Sequence, residues 1–224
     1  SIVVRATSAD GSYSTRTFTI NLLDVDESDV SPISDQDGNA NEVAENAANG
    51  SLVGITAYAF DADGTTNEVA YSLDDNAGGR FAIDGITGIV TVADGTQLDY
   101  ESQTSHTIVV RVTSADGSFA TRQFTIALLP VNEFAPEITS NGGGAHATIS
   151  QFELQSMVTT VTAVDADRPL QPLAYSIIGG VDAGLFAIDS SSGVLQFVSA
   201  PVAAHPLDAN RDNFYEVTVE VSDG

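Results

Sequence analysis

The feature that most constrains this sequence is an internal repeat in which each copy carries its own connector. Residues 1–23 are two alternating apolar segments around Asp10-Gly11, and residues 108–129 repeat them almost residue for residue around Asp116-Gly117. Each copy continues into a short acidic connector, at residues 24–28 and 130–136. Self-similarity at a fixed period of about 105 residues indicates tandem domains and not one large domain.

A second alignment joins the middle of the chain to its last third. Residues 53–63 match residues 158–167, 69–73 match 173–177, and 80–90 match 185–195. Short alternating segments separated by turn residues predict strands, beginning with a hairpin of strands over 2–9 and 13–23. The predicted fold is all-β, with tandem Greek-key β-sandwich repeats of the immunoglobulin-like type joined end to end.

The same alignments divide the chain into three segments. Residues 1–29 are expected to be the C-terminal hairpin of a preceding repeat, 30–133 a complete repeat, and 134–224 a repeat without its last strand. On this division the last repeat has an unpaired sheet edge. Because unpaired edges recruit strands, we expect strand 13–23 of one molecule to pair with that edge in another.

Composition excludes several classes of partner. Asp and Glu number 31 against 7 Lys and Arg, a formal net charge of −24, so nucleic acid and anionic membranes would be repelled. The absence of Cys fits either a cytosolic protein or a bacterial secreted protein that uses metal in place of disulfides. Neither a signal peptide nor an apolar run of membrane-spanning length is present, which is typical of an internal fragment of a larger protein.

The acidic residues gather in predicted turns, while the predicted strands carry Val, Ile, Thr and Phe. Side chains two positions apart in an extended segment point to the same side, so an Asp-x-Asp or Asp-x-Glu pair can hold one cation. Concentrated carboxylates destabilise a fold unless a cation neutralises them. For any single Asp, the alternative that it is present only as a good turn residue stays open.

Five motifs occur in a fixed order in the complete repeat. They are Glu45-Asn46, Asp61-Ala62-Asp63, residues 98–101 (Leu-Asp-Tyr-Glu), Asp116-Gly117 and residues 132–136 (Asn-Glu-Phe-Ala-Pro). Their types and order closely resemble the calcium motifs of cadherin repeats, and in particular the cadherin-like repeats of large secreted bacterial proteins. The resemblance covers the whole chain and implies Ca²⁺ ions between successive repeats.

The resemblance implies a ligand set for each junction. For the second junction the implied ligands are Glu45, Asp99, Glu101, Asn132, Glu133, Asp165, Asp167 and Asp223. For the first junction they are Asp24, Asp26, Glu27, Asp61, Asp63 and Asp116. The first junction is expected to bind calcium more weakly, because its other ligands would lie before residue 1.

The chain departs from the family pattern at several positions. Pro130 and Phe134 stand where the connector motif has carboxylate or amide side chains. In the last repeat Glu153 keeps the Glu position, while Leu154 replaces the Asn that follows it. The Asp-x-Glu motif there falls on either residues 202–204 or residues 208–210, and neither segment contains Glu, so the downstream end of the last repeat is expected to lack a site.

Other candidate sites are weaker. Residues 35–39 imitate the start of an EF-hand loop, but the Gly comes too early and no helix is predicted beside it, which favours an Asx turn. His106, His146 and His205 have no metal-ligand spacing and no nucleophile partner, and we predict that they are surface residues. Enzymatic activity is not expected, because a glycosidase would need a cleft with sugar-stacking aromatic residues and the chain has no Trp.

The sequence therefore predicts a calcium-dependent rigid spacer or cell-adhesion module of a bacterial surface or secreted protein, located outside the cell. Its predicted partners are neighbouring repeats, with a homophilic or polysaccharide ligand. The alternative function is a carbohydrate-binding accessory module, for which Tyr13, Tyr58, Phe60 and Phe119 would form the sugar platform. We favour the interpretation that these four aromatic residues pack in the core or across strands.

Overall fold

The computed structural model describes residues 1–23, 25 and 27–224, and its regular structure there is β-strand with three short 3-10 turns at Gly95–Gln97, Ser140–Gly142 and Ala183–Leu185. The strands are β1 (Ile2–Thr7), β2 (Tyr13–Phe18), β3 (Ser34–Asp35), β4 (Glu42–Ala44), β5 (Leu52–Tyr58), β6 (Val69–Asp75), β7 (Phe81–Ile83), β8 (Ile89–Val92), β9 (Ser105–Ser114), β10 (Phe119–Leu129), β11 (Glu137–Ile138), β12 (Met157–Thr160), β13 (Ala163–Val164), β14 (Ala174–Gly179), β15 (Phe186–Ile188), β16 (Val194–Phe197) and β17 (Thr218–Ser222). The all-β prediction is confirmed.

The first sandwich consists of two four-stranded sheets. Their strand orders are β4-β10-β9-β6 and β3-β5-β8-β7. Strict period-two alternation places every second residue of β9 in the interior, including Ile108, Val110 and Val112. His106 falls in the same inward register and is 5% exposed, so the prediction that it lies on the surface is wrong, while His146 and His205 are exposed as predicted.

The predicted hairpin at the start of the chain is confirmed with one change. β1 and β2 pair antiparallel from Ile2 opposite Phe18 to Thr7 opposite Tyr13. The second strand ends at Phe18, which pairs with Ile2, and not at residue 23. Its turn repeats the β9–β10 turn: Ser12 N donates to Asp10 Oδ1 at 3.0 Å, and Ser118 N donates to Asp116 Oδ1 at 2.6 Å.

The second sandwich contains the sheets β11-β13, β12-β16-β15 and β14-β17. Its core is formed by the buried side chains of Val161, Tyr175, Phe186, Leu195 and Phe197. In the described residues β17 pairs with β14 along one edge, whereas β9 at the corresponding place pairs on both edges, with β6 and with β10.

The chain folds as two compact units. The first comprises Ser1–Glu42, Ala48–Asp94 and His106–Ile126, and the second comprises Val43–Ala47, Gly95–Ser105 and Ala127–Gly224. All the glutamate and aspartate residues predicted as ligands of the second junction therefore belong to the second unit. No helix among the described residues has the length and apolar character needed to span a membrane.

Candidate metal centres

Three clusters of carboxylates are formed by residues that the motifs single out. We call them the N-terminal aspartate cluster (Asp61, Asp63, Asp116), the C-terminal aspartate cluster (Asp165, Asp167, Asp223) and the glutamate cluster (Glu45, Glu101, Glu133). Within each cluster one carboxylate oxygen from every member lies within 4.8 Å of the others. The first cluster belongs to the first unit, and the other two belong to the second unit.

The two aspartate clusters are built by the same local folding. After the Asp-x-Asp segment leaves its strand, the side chain of the first Asp turns back to accept a backbone hydrogen bond from the second. Asp63 N donates to Asp61 Oδ1 at 3.1 Å, and Asp167 N donates to Asp165 Oδ1 at 2.9 Å. This Asx geometry places both carboxylates on one side of the chain and leaves the other oxygen of the first Asp facing its neighbours.

Each aspartate cluster also fixes its connector. Glu27 N donates to Asp63 Oδ1 at 3.1 Å. At the corresponding place Glu133 N and Phe134 N donate to the two carboxylate oxygens of Asp167, at 3.3 and 3.1 Å. Phe134, whose side chain cannot ligate a cation, therefore still contributes its backbone to the geometry of the cluster.

The glutamate cluster is organised around Glu45, which is 1% exposed. Its two carboxylate oxygens accept hydrogen bonds from Val131 N and Tyr100 N, each at 2.7 Å. Glu101 Oε1 accepts from Arg168 N at 2.9 Å. Every one of these donors is a backbone amide, so the carboxylates are held in place without a side-chain cation to balance their charge.

Electrostatic repulsion within the clusters is visible at Glu133. Desolvation and the negative charges of Glu45, Glu101 and Asp167 raise the pKa of Glu133, against the lowering effect of a hydrogen bond from Asn46. Asp61 shows the opposite shift, because hydrogen bonds from the Ser114 hydroxyl and the Asp63 amide lower its pKa. A positive charge bound beside Glu133 would relieve this repulsion.

The carboxylate oxygens left over after these hydrogen bonds fit a hard cation. Asp61 Oδ2, Asp63 Oδ2 and Asp116 Oδ2 are buried without a hydrogen-bond partner, as are Glu101 Oε2, Asp165 Oδ2 and Asp223 Oδ2. A buried carboxylate oxygen without a partner carries a large desolvation cost. Calcium takes six to eight oxygen ligands and prefers carboxylates, so the donor set of every cluster matches its chemistry.

The structure leaves some predicted ligands outside these clusters. Asp99 accepts hydrogen bonds from the amide and hydroxyl of Ser102, which lower its pKa. Asn132 donates its side-chain amide to Gln171 Oε1 at 3.4 Å, and Glu27 contributes its backbone amide. Asp24 and Asp26 lie outside the described residues.

Two polar residues beside the clusters were not predicted. Asn67 donates its amide to the carbonyl of Asp63 at 3.0 Å, and Gln171 accepts the Asn132 amide. Both stand four positions after the second Asp of an Asp-x-Asp pair. This shared spacing is visible when the two repeats are aligned, so the alignment could have identified both residues.

The far end of the second sandwich keeps one hydrogen bond of the glutamate cluster but, among the residues that the structure describes, not its group of three carboxylates. Glu153 Oε2 accepts a hydrogen bond from Ala203 N at 2.8 Å, as Glu45 Oε2 does from Tyr100 N. Ala203 therefore occupies the place of Tyr100, which assigns the Asp-x-Glu position to residues 202–204 (Val-Ala-Ala). The described residues show no group of three carboxylates at that end.

The minor candidates are ordinary turns or exposed side chains. At residues 35–39, Asp35 accepts from Asp37 N and Asp37 accepts from Asn39 N, which are the predicted Asx turns. Tyr13 lies under Arg5 and Phe119 under Arg111, with 3.8 and 4.1 Å from the guanidinium carbon to the ring centre. These contacts confirm cross-strand packing for Tyr13 and Phe119, although both rings remain exposed.

Comparison with known proteins identifies a family. The cadherin domain model matches residues 39–131 and 145–224. Human cadherin-related family member 2 is 29% identical over 99% of this chain, and human protocadherin Fat 1 is 31% identical over 100% of it. The chain spans 17% and 5% of the length of those two relatives.

Solved structures show the same fold. Mouse cadherin-23 EC22-24 superposes with a TM-score of 0.69 at 23% identity, covering 99% of this chain and 68% of that structure. The human desmocollin-1 ectodomain superposes with a TM-score of 0.62 at 22% identity, covering 97% of this chain and 42% of that structure.

These findings correct one prediction and establish others. The relatives above are animal proteins, so the predicted bacterial origin is not supported. Cadherin repeats are extracellular, non-enzymatic adhesion modules that bind Ca²⁺ at acidic clusters in their linkers. With two matched domains covering most of its length, each an all-β sandwich, this chain belongs to the cadherin family.

Proposed function

We propose that this chain is a calcium-dependent rigid spacer and adhesion module, and that Ca²⁺ bound at the three carboxylate clusters limits motion of the connectors. The observation that supports the proposal is the set of buried carboxylate oxygens without partners, repeated at equivalent positions of the two repeats. We retain the division of the chain into 1–29, 30–133 and 134–224 as part of this proposal.

The roles of the residues follow from their hydrogen bonds. Backbone amides already fix the carboxylates of Glu45 and Glu101, and those of Asp165 and Asp167 in the next repeat. Glu133 and Asp223 would complete the two ligand sets. Asp61, Asp63 and Asp116 would form the equivalent site near Glu27. Asp99 and Asn132 would support their neighbours through Ser102 and Gln171.

Bound calcium would supply the positive charge that turns repulsion among these carboxylates into shared coordination. Without that charge, Asp167 and Glu133 repel each other at the point where Asp167 accepts the Glu133 amide. The connector would then be held by a few hydrogen bonds that like charges oppose. Extracellular calcium modules bind with dissociation constants of about 10⁻⁴ to 10⁻³ M, which suits calcium levels outside cells.

Small-angle X-ray scattering tests the spacer function. We expect the particle to sample fewer conformations in about 10 mM calcium than in chelator, since that concentration exceeds the expected dissociation constant by roughly ten- to a hundred-fold. Glu101→Gln keeps an acceptor for Arg168 N but removes the charge, so it should require more calcium for the same change. Identical scattering of the wild type in calcium and in chelator would overturn the proposal.

A second candidate function is glycan binding, which one observation favours. The rings of Tyr58 and Phe60 are both exposed, and their centres lie 6.4 Å apart at an angle of 37°. Exposed neighbouring rings can stack on a sugar. Glycan-array binding that Tyr58→Ala abolishes would support this function. If no glycan on the array bound, the spacer function would be the sole remaining candidate.

We also propose a second copy of this chain as a partner of the β1–β2 hairpin. Ile2, Val4 and Phe18 are 51%, 51% and 43% exposed, while the equivalent Ile108, Val110 and Phe124 are at most 5% exposed. Among the described residues β17 pairs with β14, whereas β9 pairs with both β6 and β10. Sedimentation should show self-association that Val4→Asp weakens; a monomer at every concentration would contradict it.

A further inference from the structure

Asn46 has an unusual backbone conformation beside the glutamate cluster. Its φ is 54°, in the left-handed region that Asn adopts more readily than most residues. Asn46 N donates to the carbonyl of Leu98 at 3.1 Å, which fixes this conformation. In this conformation the side chain reaches Glu133 in the connector.

The Asn46 amide bonds to a glutamate that lies among like charges. Its Nδ2 donates a hydrogen bond to Glu133 Oε2. Glu133 faces the negative charges of Glu45, Glu101 and Asp167, and its exposed side chain has three rotatable bonds. A donor from Asn46 opposes the tendency of that repulsion to turn the Glu133 carboxylate out to solvent.

The second sandwich contains the same backbone without the amide. Leu154, which follows Glu153, also has a positive φ of 69°, and Leu154 N donates to the carbonyl of Pro201 at 2.9 Å. The left-handed conformation at this position therefore does not require Asn. The amide is present where the carboxylate cluster is present, and an apolar side chain stands where the cluster is missing.

We propose that Asn46 is a positioning residue of the glutamate cluster, whose amide holds the Glu133 carboxylate where it can share a cation with Glu45 and Glu101. This inference rests on the proposed calcium function. The Asn46 amide bonds to Glu133, so its effect on binding should pass through Glu133. Loss of a residue that orients a metal ligand typically weakens metal binding by about 10- to 100-fold.

Calorimetric titration of the full chain with calcium tests the inference. Asn46→Leu copies the residue that the second sandwich accepts in this backbone conformation, so it should fold. We expect it to weaken one class of calcium sites by about ten-fold. The matched control is Asn141→Leu, because Asn141 also has a positive φ of 53° but bonds to Thr159, away from the carboxylates. It should leave the calcium titration unchanged.

A double-mutant cycle distinguishes positioning from a general structural role. In a Glu133→Gln background, Asn46→Leu should change calcium affinity less than two-fold, because the charge that the amide holds is gone. The inference is overturned if Asn46→Leu lowers the unfolding temperature in chelator but leaves calcium affinity unchanged. The wild type is titrated first. If it binds no calcium, the proposed function itself fails, independently of any variant.

Discussion

At the scale of single residues, the buried carboxylate oxygens that lack a hydrogen-bond donor are the strongest argument for calcium binding. Asp165 illustrates the point: its Oδ1 accepts the Asp167 amide, while its Oδ2 is buried and faces Asp167 and Asp223 without a donor. Such an arrangement is unfavourable for the protein alone and favourable with a cation. Removing the charge of such a residue should therefore raise the stability of the calcium-free protein and lower that of the calcium-bound protein.

The effect of Asp165→Asn on the free energy of unfolding should change sign when calcium is added. The Asn side chain keeps an oxygen for the Asp167 amide and removes one negative charge, so the variant should be slightly more stable than the wild type in chelator. In calcium it should be less stable, with about ten-fold weaker binding. Urea unfolding in both conditions measures this. Asp37→Asn, in an Asx turn outside the clusters, is the control and should change stability equally in both.

His106 makes the first sandwich sensitive to acid. Burial, with a smaller effect of the Arg80 charge, lowers the pKa of His106, and its Nε2 has no hydrogen-bond partner. The folded state therefore favours neutral imidazole, whereas the unfolded chain binds a proton near pH 6.5. This contribution to stability is complete above about pH 6.5 and is lost as the pH falls below it.

The equivalent residue of the second sandwich supplies the test. Val112 pairs with Tyr71 and Val221 pairs with Tyr175, so His106, six residues before Val112, corresponds to Tyr215, six residues before Val221. His106→Tyr should reduce the loss of unfolding free energy between pH 7.5 and 5.5, measured by urea unfolding in chelator. His205→Tyr, at an exposed position, should leave that loss unchanged, and an equal slope for His106→Tyr and wild type would contradict the prediction.

His106 also shows what sequence reasoning missed at this scale. Its lack of metal-ligand spacing suggested a surface residue, but the alternation of Ile108, Val110 and Val112 already placed position 106 on the inward face. Conversely, the motifs identified all nine carboxylates of the three clusters. They also implied Asp99, whose role as a ligand stays a prediction; the hydrogen bonds it accepts from Ser102 could not be read from motif spacing.

At the scale of elements, the two hairpin turns that follow β7 and β15 share one design. Gly88 and Gly193 have φ of 70° and 69°, and their amides donate to the carbonyls of Asp84 and Asp189. Their own carbonyls accept from Ala57 N and Val161 N. The turn therefore brings two strands into contact at a point where no side chain fits.

Gly88→Ala should destabilise the protein by more than its backbone strain. A Cβ at Gly88 would lie 2.2 Å from the Ala57 carbonyl oxygen, whereas a Cβ at Gly50, where φ is 90°, meets nothing within 4 Å. Gly50→Ala should cost about 1–2 kcal/mol for the left-handed conformation. Gly88→Ala should cost about 1–3 kcal/mol more for the overlap. Denaturant unfolding in calcium measures the difference, and equal costs would refute the overlap.

The elements themselves were predictable where alternation and turn residues agreed. The β9–β10 hairpin follows residues 108–129, because Val, Ile and Phe alternate on both sides of Asp116-Gly117. Short strands such as β3, β11 and β13 were not predicted, since two residues carry no detectable period. The end of β2 at Phe18 was not predicted either, since the apolar alternation continues to residue 22.

At the scale of the whole molecule, the net charge of −24 is unevenly distributed, and the repeat explains why. Asp61, Asp63 and Asp116 recur as Asp165, Asp167 and Asp223, so each domain brings the same three carboxylates together. Two kinds of repulsion follow: diffuse repulsion over the surface, and concentrated repulsion within oxygens less than 4.8 Å apart. Salt and calcium should act on them differently.

Sodium chloride should stabilise the chelated protein only modestly. The Debye length falls from about 10 Å at 0.1 M to about 3 Å at 1 M salt, which screens exposed charges well and buried pairs poorly. Calcium at a hundred times its dissociation constant should add about 2.7 kcal/mol to the free energy of unfolding for each occupied site. The corresponding ionic strength is low, so screening does not account for such a gain.

Thermal unfolding separates these effects. The wild type is heated in chelator, in chelator with increasing sodium chloride, in about 10 mM calcium, and in magnesium at the same concentration. Calcium should raise the unfolding temperature far above the value reached at any sodium chloride concentration. Magnesium should raise the unfolding temperature less than calcium, because Mg²⁺ demands a stricter geometry and loses water reluctantly. If calcium and sodium chloride of matched ionic strength gave the same unfolding temperature, the carboxylate clusters would be surface charge and not calcium sites.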